Sequence, residues 1–579
     1  VAYVVLHPGA TCSISELVEF AKNHIAERAA APKEIYLISA LPLTAVGKIF
    51  KPELKRDVIT RTILDLLADF DLTLNISVEA DKTYGTIATI ENVPEDKIDS
   101  IRDIMDHYAF HTIIIKQNRD NKMQAAKHEH WSSGFTFLLA AVGSAVGLGN
   151  IWRFPYVVAE NGGGAFVLIY LAIVVVFGIP LLMSELMIGR STQKPPLSAI
   201  QSFGDSSSPV QKLWKALGWS YLLVPMGILT FYSVVAGWTL DYALGMGIGT
   251  FNNLEDGESA KMFQDLLASP VKLIFWMTIS IGITVGIVAR GIKSGLETTV
   301  KILMPALFVI LIILVLYASI TGDFARSFDF MFTPDFSKIT PKLVLMAAGQ
   351  AFFSLSLGSG AIMVYGSYLT RDISIPKMAV GVAFADTAVA LLSGFAIFPI
   401  VFAFGVDHAA GPGLVFVTLP IVFNDMGGIG QIFGLLFFLL LAFAAITSTI
   451  SLLEPMVAQL SEEGRFKRGR AAIYCGAVLW FVGIFVALSN NILSDFHPLD
   501  SMPLFAGKTI ADSIEFLSAN VFMLLNGLLV SIFVGWSIKR SITLEEMGLS
   551  DSILFKIWFL LVRFVVPLGV GFIFYDVVL

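Results

Sequence analysis

The chain has 579 residues, 55% of them hydrophobic and only 15% charged, with 46 phenylalanines and a net charge of −7. A soluble domain carries about 25% charged residues, so this is the composition of a protein that crosses a membrane many times. No basic, aromatic-interleaved patch points to nucleic acid, and the two cysteines, Cys12 and Cys475, fall far apart and leave no disulfide framework or cysteine-based metal site.

Residues 1 to about 115 differ in kind from the rest, being charged and mixed with no span-length apolar run. Glu16 to Arg28 reads as an amphipathic helix, Glu34 to Ala40 as a short strand, and Leu43 to Lys48 as a turn, with further strand-like segments up to Lys116. The chain begins with Val1 and lacks a signal-peptide pattern. Residues 116–130 form a polar linker whose Met123 is a candidate native start.

From there on the chain offers eleven span candidates, near 134–155, 163–188, 214–247, 271–289, 296–320, 343–369, 376–404, 430–460, 471–489, 510–538 and 553–577. Val406 to Gly428 is a loop punctuated by Gly and Pro, with room for short helices. Lys and Arg concentrate in one alternate set of loops, including Arg190, Lys194, Arg290, Arg371, Arg468 and Arg540. Cytoplasmic loops carry that excess, so the linker lies inside and the C-terminus outside.

Two spans are interrupted. Gly143 to Pro155 reads GSAVGLGNIWRFP, with three glycines, an asparagine and an arginine at membrane depth. Broken backbone at that depth is tolerated only where it is buried in protein or lines a cavity. A glycine-rich packing face would account for the glycines but not for Asn150 and Arg153. The sixth span, Gly349 to Tyr368, likewise carries Ser354, Ser356, Gly358, Ser359 and Gly360 at its midpoint. A pair of interrupted helices in corresponding halves points to a secondary transporter with inverted repeats. Asp386 is a carboxylate within a span and is therefore a functional candidate. Thr447 and Ser448 are adjacent hydroxyls in an apolar run; they either bond to carbonyls of their own helix or supply oxygen to a hard cation.

The stretch KEIYLISALPLTAVGKIFKPELKRD resembles the end of the acyl-CoA synthetases of the adenylate-forming superfamily. That resemblance implies a small α+β fragment in which Lys48 matches the family's adenylate-facing lysine. The family's phosphate loop and large nucleotide-binding domain are missing from the sequence, which argues against catalysis and for a C-terminal fragment, fused or read through from a neighbouring gene.

Residues from about Trp131 onward resemble the neurotransmitter:sodium symporter family, especially its eleven-span bacterial amino-acid members. The matching stretches are GSAVGLGNIWRFPY, ENGGGAF, GQAFFSLSLGSG and FAAITSTISLLEP. The resemblance implies an all-α polytopic fold of inverted five-helix repeats with broken helices 1 and 6. It implies sodium-coupled amino-acid symport by alternating access, with no enzymatic activity, in a bacterial inner membrane with the N-terminal region cytoplasmic.

The same resemblance implies the site. One sodium ion would be held by Ala145, Asn150, Ser354 and Asp386. A second would be held by Gly143, Val146, Ala444, Thr447 and Ser448. The substrate carboxylate would meet the N–H groups of Leu148 and Gly149 and the hydroxyl of Tyr232. Its amine would meet carbonyls of the unwound segments, Ala145 and Ser354 among them, and the hydroxyl of Ser356. Its side chain would lie among Ile228, Phe353, Ser359 and Leu452. Monoamine members carry aspartate where this chain has Gly147, so a substrate bringing its own carboxylate is expected. Arg153 and Glu515 match the outer gate, and Glu185 and Gln350 would support the unwound sixth span. His128, beside Lys127, stands where the family has the arginine of an inner gate, with Glu462 as its acid and Tyr368 as the neighbouring tyrosine. Chloride-dependent members have a neutral residue at Asp386 and a serine one turn on, where this chain has Ala390, so chloride is not expected to be required. A membrane-tethered acyl-CoA synthetase would need adenylate-site motifs that the sequence lacks. A channel or solute sensor on the same scaffold would bind sodium without moving solute in fixed ratio.

Overall fold

The computed structural model divides into two units, Val1–Ala125 and Ala126–Leu579. It describes the chain except residues 8–9, 11, 26–30, 33, 39, 43–47, 71–74, 82–84, 95–96, 109, 117–128, 204–208, 256, 406–412, 463, 465, 550 and 579. Met123, Lys127 and His128 therefore lie outside the described residues, as does most of the Leu43–Lys48 turn.

In the first unit, strand β1 (Ala2–Val4) pairs in parallel with β2 (Ile35–Leu37), and helix α1 (Ile14–His24) runs between them in sequence. Helix α1 starts where Ser13 and Glu16 cap each other's backbone N–H groups, two residues earlier than expected. Helix α2 (Lys51–Leu66) opens with Pro52, which has no N–H to leave unpaired in a first turn. It is tied to β1 by the Tyr3 hydroxyl, which donates to Asp57 Oδ2 at 2.7 Å, while Arg61 Nε donates to the same oxygen at 2.7 Å. Strands β3 (Asn75–Asp81) and β4 (Gly85–Val93) are antiparallel, helix α3 (Ile98–Met105) follows, and β5 (His111–Lys116) returns parallel to β4. Ile63, Ala88, Ile90, Val93 and Ile101 form a core of their own beneath these elements. Lys48 is exposed.

In the second unit, nine helices are long and apolar enough to cross a membrane, among the described residues. They are span 2 (Gly164–Thr192), span 3 (Val210–Gly247), span 4 (Pro270–Val288), span 5 (Ile292–Thr321), span 7 (Ile375–Phe404), span 8 (Gly428–Glu462), span 9 (Arg468–Leu488), span 10 (Ile510–Ser537) and span 11 (Ile553–Tyr575). Span 1 is a pair, Gly134–Ala145 and Gly149–Glu160, bent by 51°. Span 6 is also a pair, Pro341–Ser354 and Ala361–Ser367, separated by residues 355–360. Ten of the eleven expected span positions are thus filled by helices long and apolar enough to cross, counting the bent pair as one, and at the sixth position two shorter helices flank a break, so both expected breaks are present. Helices at Glu258–Ala268, Phe324–Phe332 and Arg540–Met547, and one at Leu414–Asp425 in the Gly/Pro loop, lie between spans.

Arg190 is not the free loop charge that its place in the orientation argument suggests. Its Nε donates to Glu546 Oε2 at 2.8 Å, the other guanidinium nitrogens meet the carbonyls of Ile373 and Glu546, and the two side chains are only 4% and 5% exposed. This pins the Arg540–Met547 helix to the Thr192 end of span 2. Removing one partner of a buried pair strands the other charge, at a cost of about 3–5 kcal/mol. Arg190→Ala is therefore expected to lower the thermal unfolding midpoint in detergent markedly. Arg371→Ala, which breaks an exposed bond to Glu545, should change it little.

Candidate functional site

The site grows out of the two breaks. Span 1 stops being helical after Ala145, and its chain resumes as a wide helical turn over Gly149–Arg153. The N–H of Gly147 finds its acceptor in the side chain of Asn150, whose Oδ1 lies at 3.0 Å. In span 6 the chain passes through left-handed conformations at Ser356 (φ 54°), Gly358 (φ 74°) and Gly360 (φ 84°). A non-glycine residue held there costs about 1–3 kcal/mol, and such strain persists only where surrounding contacts dictate it. Those contacts are present. Ser356 Oγ donates to the carbonyl of Ser144 at 3.0 Å, joining one break to the other. The N–H of Gly358 donates to Glu185 Oε1 at 2.7 Å, and its carbonyl accepts from Asn526 Nδ2 at 2.7 Å. Gln350 Nε2 donates to the carbonyl of Gly149 at 2.7 Å. Glu185 thus supports the unwound sixth span as expected, whereas Gln350, expected to do the same, reaches from span 6 to the break in span 1.

Beside these breaks lies a wholly buried polar cluster. Asn150 Nδ2 lies 2.8 Å from Asp386 Oδ1, 3.1 Å from the Asp386 carbonyl and 2.9 Å from Ser354 Oγ. Ser354 Oγ donates to Asp386 Oδ2 at 2.5 Å. The Tyr170 hydroxyl, from span 2, closes the ring at 3.5 Å from the same carboxylate oxygen and 3.4 Å from Ser354 Oγ. Sequence reasoning missed Tyr170, whose only sign was a lone phenol in an apolar span. Among the described residues no cationic side chain lies within 4.0 Å of Asp386.

The second expected oxygen cluster is looser. Ser448 Oγ reaches across to the carbonyl of Val146 at 3.5 Å. Thr447 Oγ1 bonds within its own helix, to the carbonyls of Phe443 and Ala444, each at 3.0 Å. Gly143 faces Thr447, since a Cβ on it would lie 3.5 Å from the Thr447 Cβ. The structure therefore brings Gly143, Val146, Ala444, Thr447 and Ser448 together.

Between the two clusters is a cavity of about 20 Å³, lined by Ala145, Gly149, Ile228, Tyr232, Phe353, Ser356, Ser359 and Leu452, and also by Ser144, Gly147, Ser448 and Met523. That is room for about one water molecule. Two expected contacts do not line it. Leu148 turns its N–H to the Tyr232 hydroxyl at 2.9 Å, and Ser354 faces Asp386. Phe353 forms one wall, with the Arg153 guanidinium stacked 4.9 Å from its ring centre. Arg153 and Glu515 make no ion pair within 4.0 Å, so the expected outer gate is not bonded in this state; Arg153 spends its charge on the aromatic face instead.

At the far end of span 6, Tyr368 bonds to an acid that the sequence reading did not name. Its hydroxyl donates to Glu454 Oε1 at 2.7 Å, and Arg468 Nη2 lies 2.5 Å from Glu454 Oε2. Glu454 precedes Glu462 on span 8, and Arg468 belongs to span 9. Glu462 itself is exposed at the end of its span, and His128 lies outside the described residues. Trp131 anchors the start of span 1 here, its Nε1 donating to the carbonyl of Tyr365 at 3.1 Å.

Residues 1–48 match the AMP-binding enzyme C-terminal domain, in keeping with the resemblance of that part of the chain to the end of the acyl-CoA synthetases. Residues 128–247 and 259–534 match the sodium:neurotransmitter symporter family. A sodium-dependent transporter of Bacillus subtilis is 36% identical over 459 residues, covering 79% of this chain and 99% of its own length. One of Haemophilus influenzae is 37% identical, covering 77% and 98%. Among solved structures, that of MhsT in complex with L-phenylalanine is 40% identical, with a TM-score of 0.71, and covers 78% of this chain and 99% of its own. The chain belongs to the sodium:neurotransmitter symporter family, and it is a sodium-coupled secondary transporter rather than an enzyme.

Proposed function

We propose that the protein carries an amino acid across the membrane together with two sodium ions, by alternating access and without chloride, in a bacterial inner membrane with residues 129–130 on the cytoplasmic side. The observation that carries this reading is the cavity lined by residues of both breaks, with Gly149 and the Tyr232 hydroxyl, which accepts from the Leu148 N–H, at one wall and the apolar side chains of Ile228, Phe353 and Leu452 at another. A substrate carboxylate takes the N–H groups of Leu148 and Gly149, displacing the Tyr232 hydroxyl to act as a further donor. The amine takes the carbonyl side of the breaks near Ala145 and the hydroxyl of Ser356. MhsT, the solved relative, holds L-phenylalanine, which supports a substrate with an apolar side chain among Ile228, Phe353 and Leu452.

Sodium suits both clusters as cargo because their donors are carboxylate, hydroxyl and carbonyl oxygens. At the first, the Asn150 amide turns its oxygen towards the ion and yields Asp386 and Ser354 to it. At the second, Thr447 and Ser448 keep their lone pairs available while Gly143, Val146 and Ala444 supply carbonyls. The test is uptake of each of the twenty common amino acids into proteoliposomes under an inward sodium gradient. Uptake of at least one that vanishes when potassium replaces sodium is the expected result; no sodium-driven uptake of any would end the reading.

The first unit has its own core and the family match begins at residue 128, which supports its being dispensable for transport. A chain starting at Met123 is expected to insert and to take up substrate at the rate of the full chain. Loss of uptake in well-inserted protein would show that the first unit takes part.

A further inference from the structure

The tenth span carries a residue that the expected site does not contain. Its helix widens over Phe516–Phe522 and tightens again at Met523. Such wide turns shift every later side chain around the helix and gather at functional sites. Here the shift brings Met523, only 1% exposed, onto the wall of the central cavity. One turn further on, Asn526 holds the carbonyl of Gly358, and the carbonyl of Met523 packs against the Gly358 Cα, where a Cβ would collide with it. Span 10 is therefore fastened to the unwound part of span 6 at the level where a substrate side chain ends.

We propose that Met523 determines which amino-acid side chains the transporter accepts, by acting as the movable end wall of the cavity for large apolar substrates; this rests on the reading of that cavity as the amino-acid site. Free space of about 20 Å³ holds no amino-acid side chain of any size, so a wall has to give way. The other walls are held. Tyr232 is bonded to the Leu148 N–H, and the hydroxyls of Ser356 and Ser359 are bonded to the carbonyls of Ser144 and Ser356. Phe353 packs on Gly149 beneath Arg153. Ile228 and Leu452 are branched residues on unbroken stretches of helix. Met523 alone combines an unbranched, three-bond side chain with a backbone beside a wide turn. It also has somewhere to go. Residues on either side of this wall, Gly227 of span 3 and Phe522 of span 10, line a second, apolar crevice of about 520 Å³ with Ile514 and Ser518. That crevice reaches the outer face of the bundle at Trp219 and Leu223, which are 50% and 62% exposed.

The experiment measures KM for L-alanine, L-leucine, L-phenylalanine and L-tryptophan by sodium-driven uptake, for the full native chain and for Met523→Ala, Met523→Leu and Met523→Phe. A pocket distinguishes substrates by roughly 10–200-fold for each methylene gained or lost. Met523→Ala is expected to shift the ratio of KM values for leucine and tryptophan by about 10-fold or more in favour of tryptophan. Met523→Phe should shift it as far the other way. Met523→Leu, which keeps the volume and loses the flexibility, should leave leucine unchanged and raise KM for the two aromatic substrates; it also serves should the larger changes not fold. If all folded variants keep the native order and ratios, the inference is wrong while the amino-acid reading stands. If the native chain takes up no amino acid under a sodium gradient, it is the reading of the cavity that fails.

Discussion

Gly147→Asp is expected to abolish amino-acid binding. Gly147 lies on the cavity wall, and a Cβ on it would stand 2.5 Å from Ser448 Oγ and 2.6 Å from the Tyr232 hydroxyl. A carboxylate on that Cβ shares the space in which the substrate's own carboxylate meets Tyr232. Two like charges about 4 Å apart repel by roughly 4 kcal/mol at an effective dielectric near 20, which is about a thousandfold in affinity. Crowding adds to this, so Gly147→Ala is the control: it should weaken binding by moving Ser448 and Tyr232 aside, without the charge. Equilibrium binding of L-phenylalanine to purified protein in sodium separates the two. A further arm uses phenethylamine, which lacks the carboxylate and should bind Gly147→Asp better than it binds the native chain. Near-native affinity of the aspartate variant for the amino acid would show that the carboxylate does not lie on this wall.

How far the site could be read from the chain depended on the range of the interaction. The spans and their two breaks are local features: an apolar window of the right length, with Gly, Ser or Asn at its centre, reports itself without reference to any other segment. Asn150, Ser354 and Asp386 were legible for the same reason, as polar groups in hydrocarbon need partners and there were few to choose from. Tyr170, Glu454 and Arg468 were not, because their roles come from which helix faces which, and an alternative partner such as Glu462 sits on the same span. Met523 was hidden by geometry of a different sort, since a regular helical wheel drawn through span 10 places it wrongly once the turn at Phe516–Phe522 has widened. Thr447 shows the limit from the other side. Its hydroxyl bonds to its own helix, as many threonines do, and only its place opposite Gly143 and beside Ser448 makes it a candidate ligand. The helices between the spans, Glu258–Ala268 and Phe324–Phe332 among them, are amphipathic but too short to register in a span-length apolar window.

Asp386→Asn is expected to cost the transporter most of its sodium affinity, and native uptake is expected to proceed without chloride. Asp386 is wholly buried and bonded to three neutral groups, Asn150, Ser354 and Tyr170. A carboxylate in that position without a cationic side chain nearby is expensive to keep charged, and a sodium ion among the same oxygens relieves the cost. A serine one helical turn on would offer a mobile anion a hydroxyl; Ala390, also fully buried, does not. On the proposed reading, the negative charge that balances sodium is fixed in the protein. At about 4 Å and an effective dielectric near 20 its attraction for the ion is roughly 4 kcal/mol, enough to stand in for a bound anion. Asparagine keeps the size and one acceptor oxygen but removes the charge, and its amide nitrogen replaces one of the two oxygens that accept from Asn150 on one side and from Ser354 and Tyr170 on the other, so part of the hydrogen-bond ring is lost as well. The half-saturating sodium concentration for uptake should rise by tenfold or more, up to about a thousandfold if the whole attraction is lost. Uptake by the native chain at fixed sodium should not change when gluconate replaces chloride. A steep fall of native uptake without chloride would show that the balancing charge is mobile, and an unaltered sodium dependence in Asp386→Asn would show that the carboxylate does not face the ion.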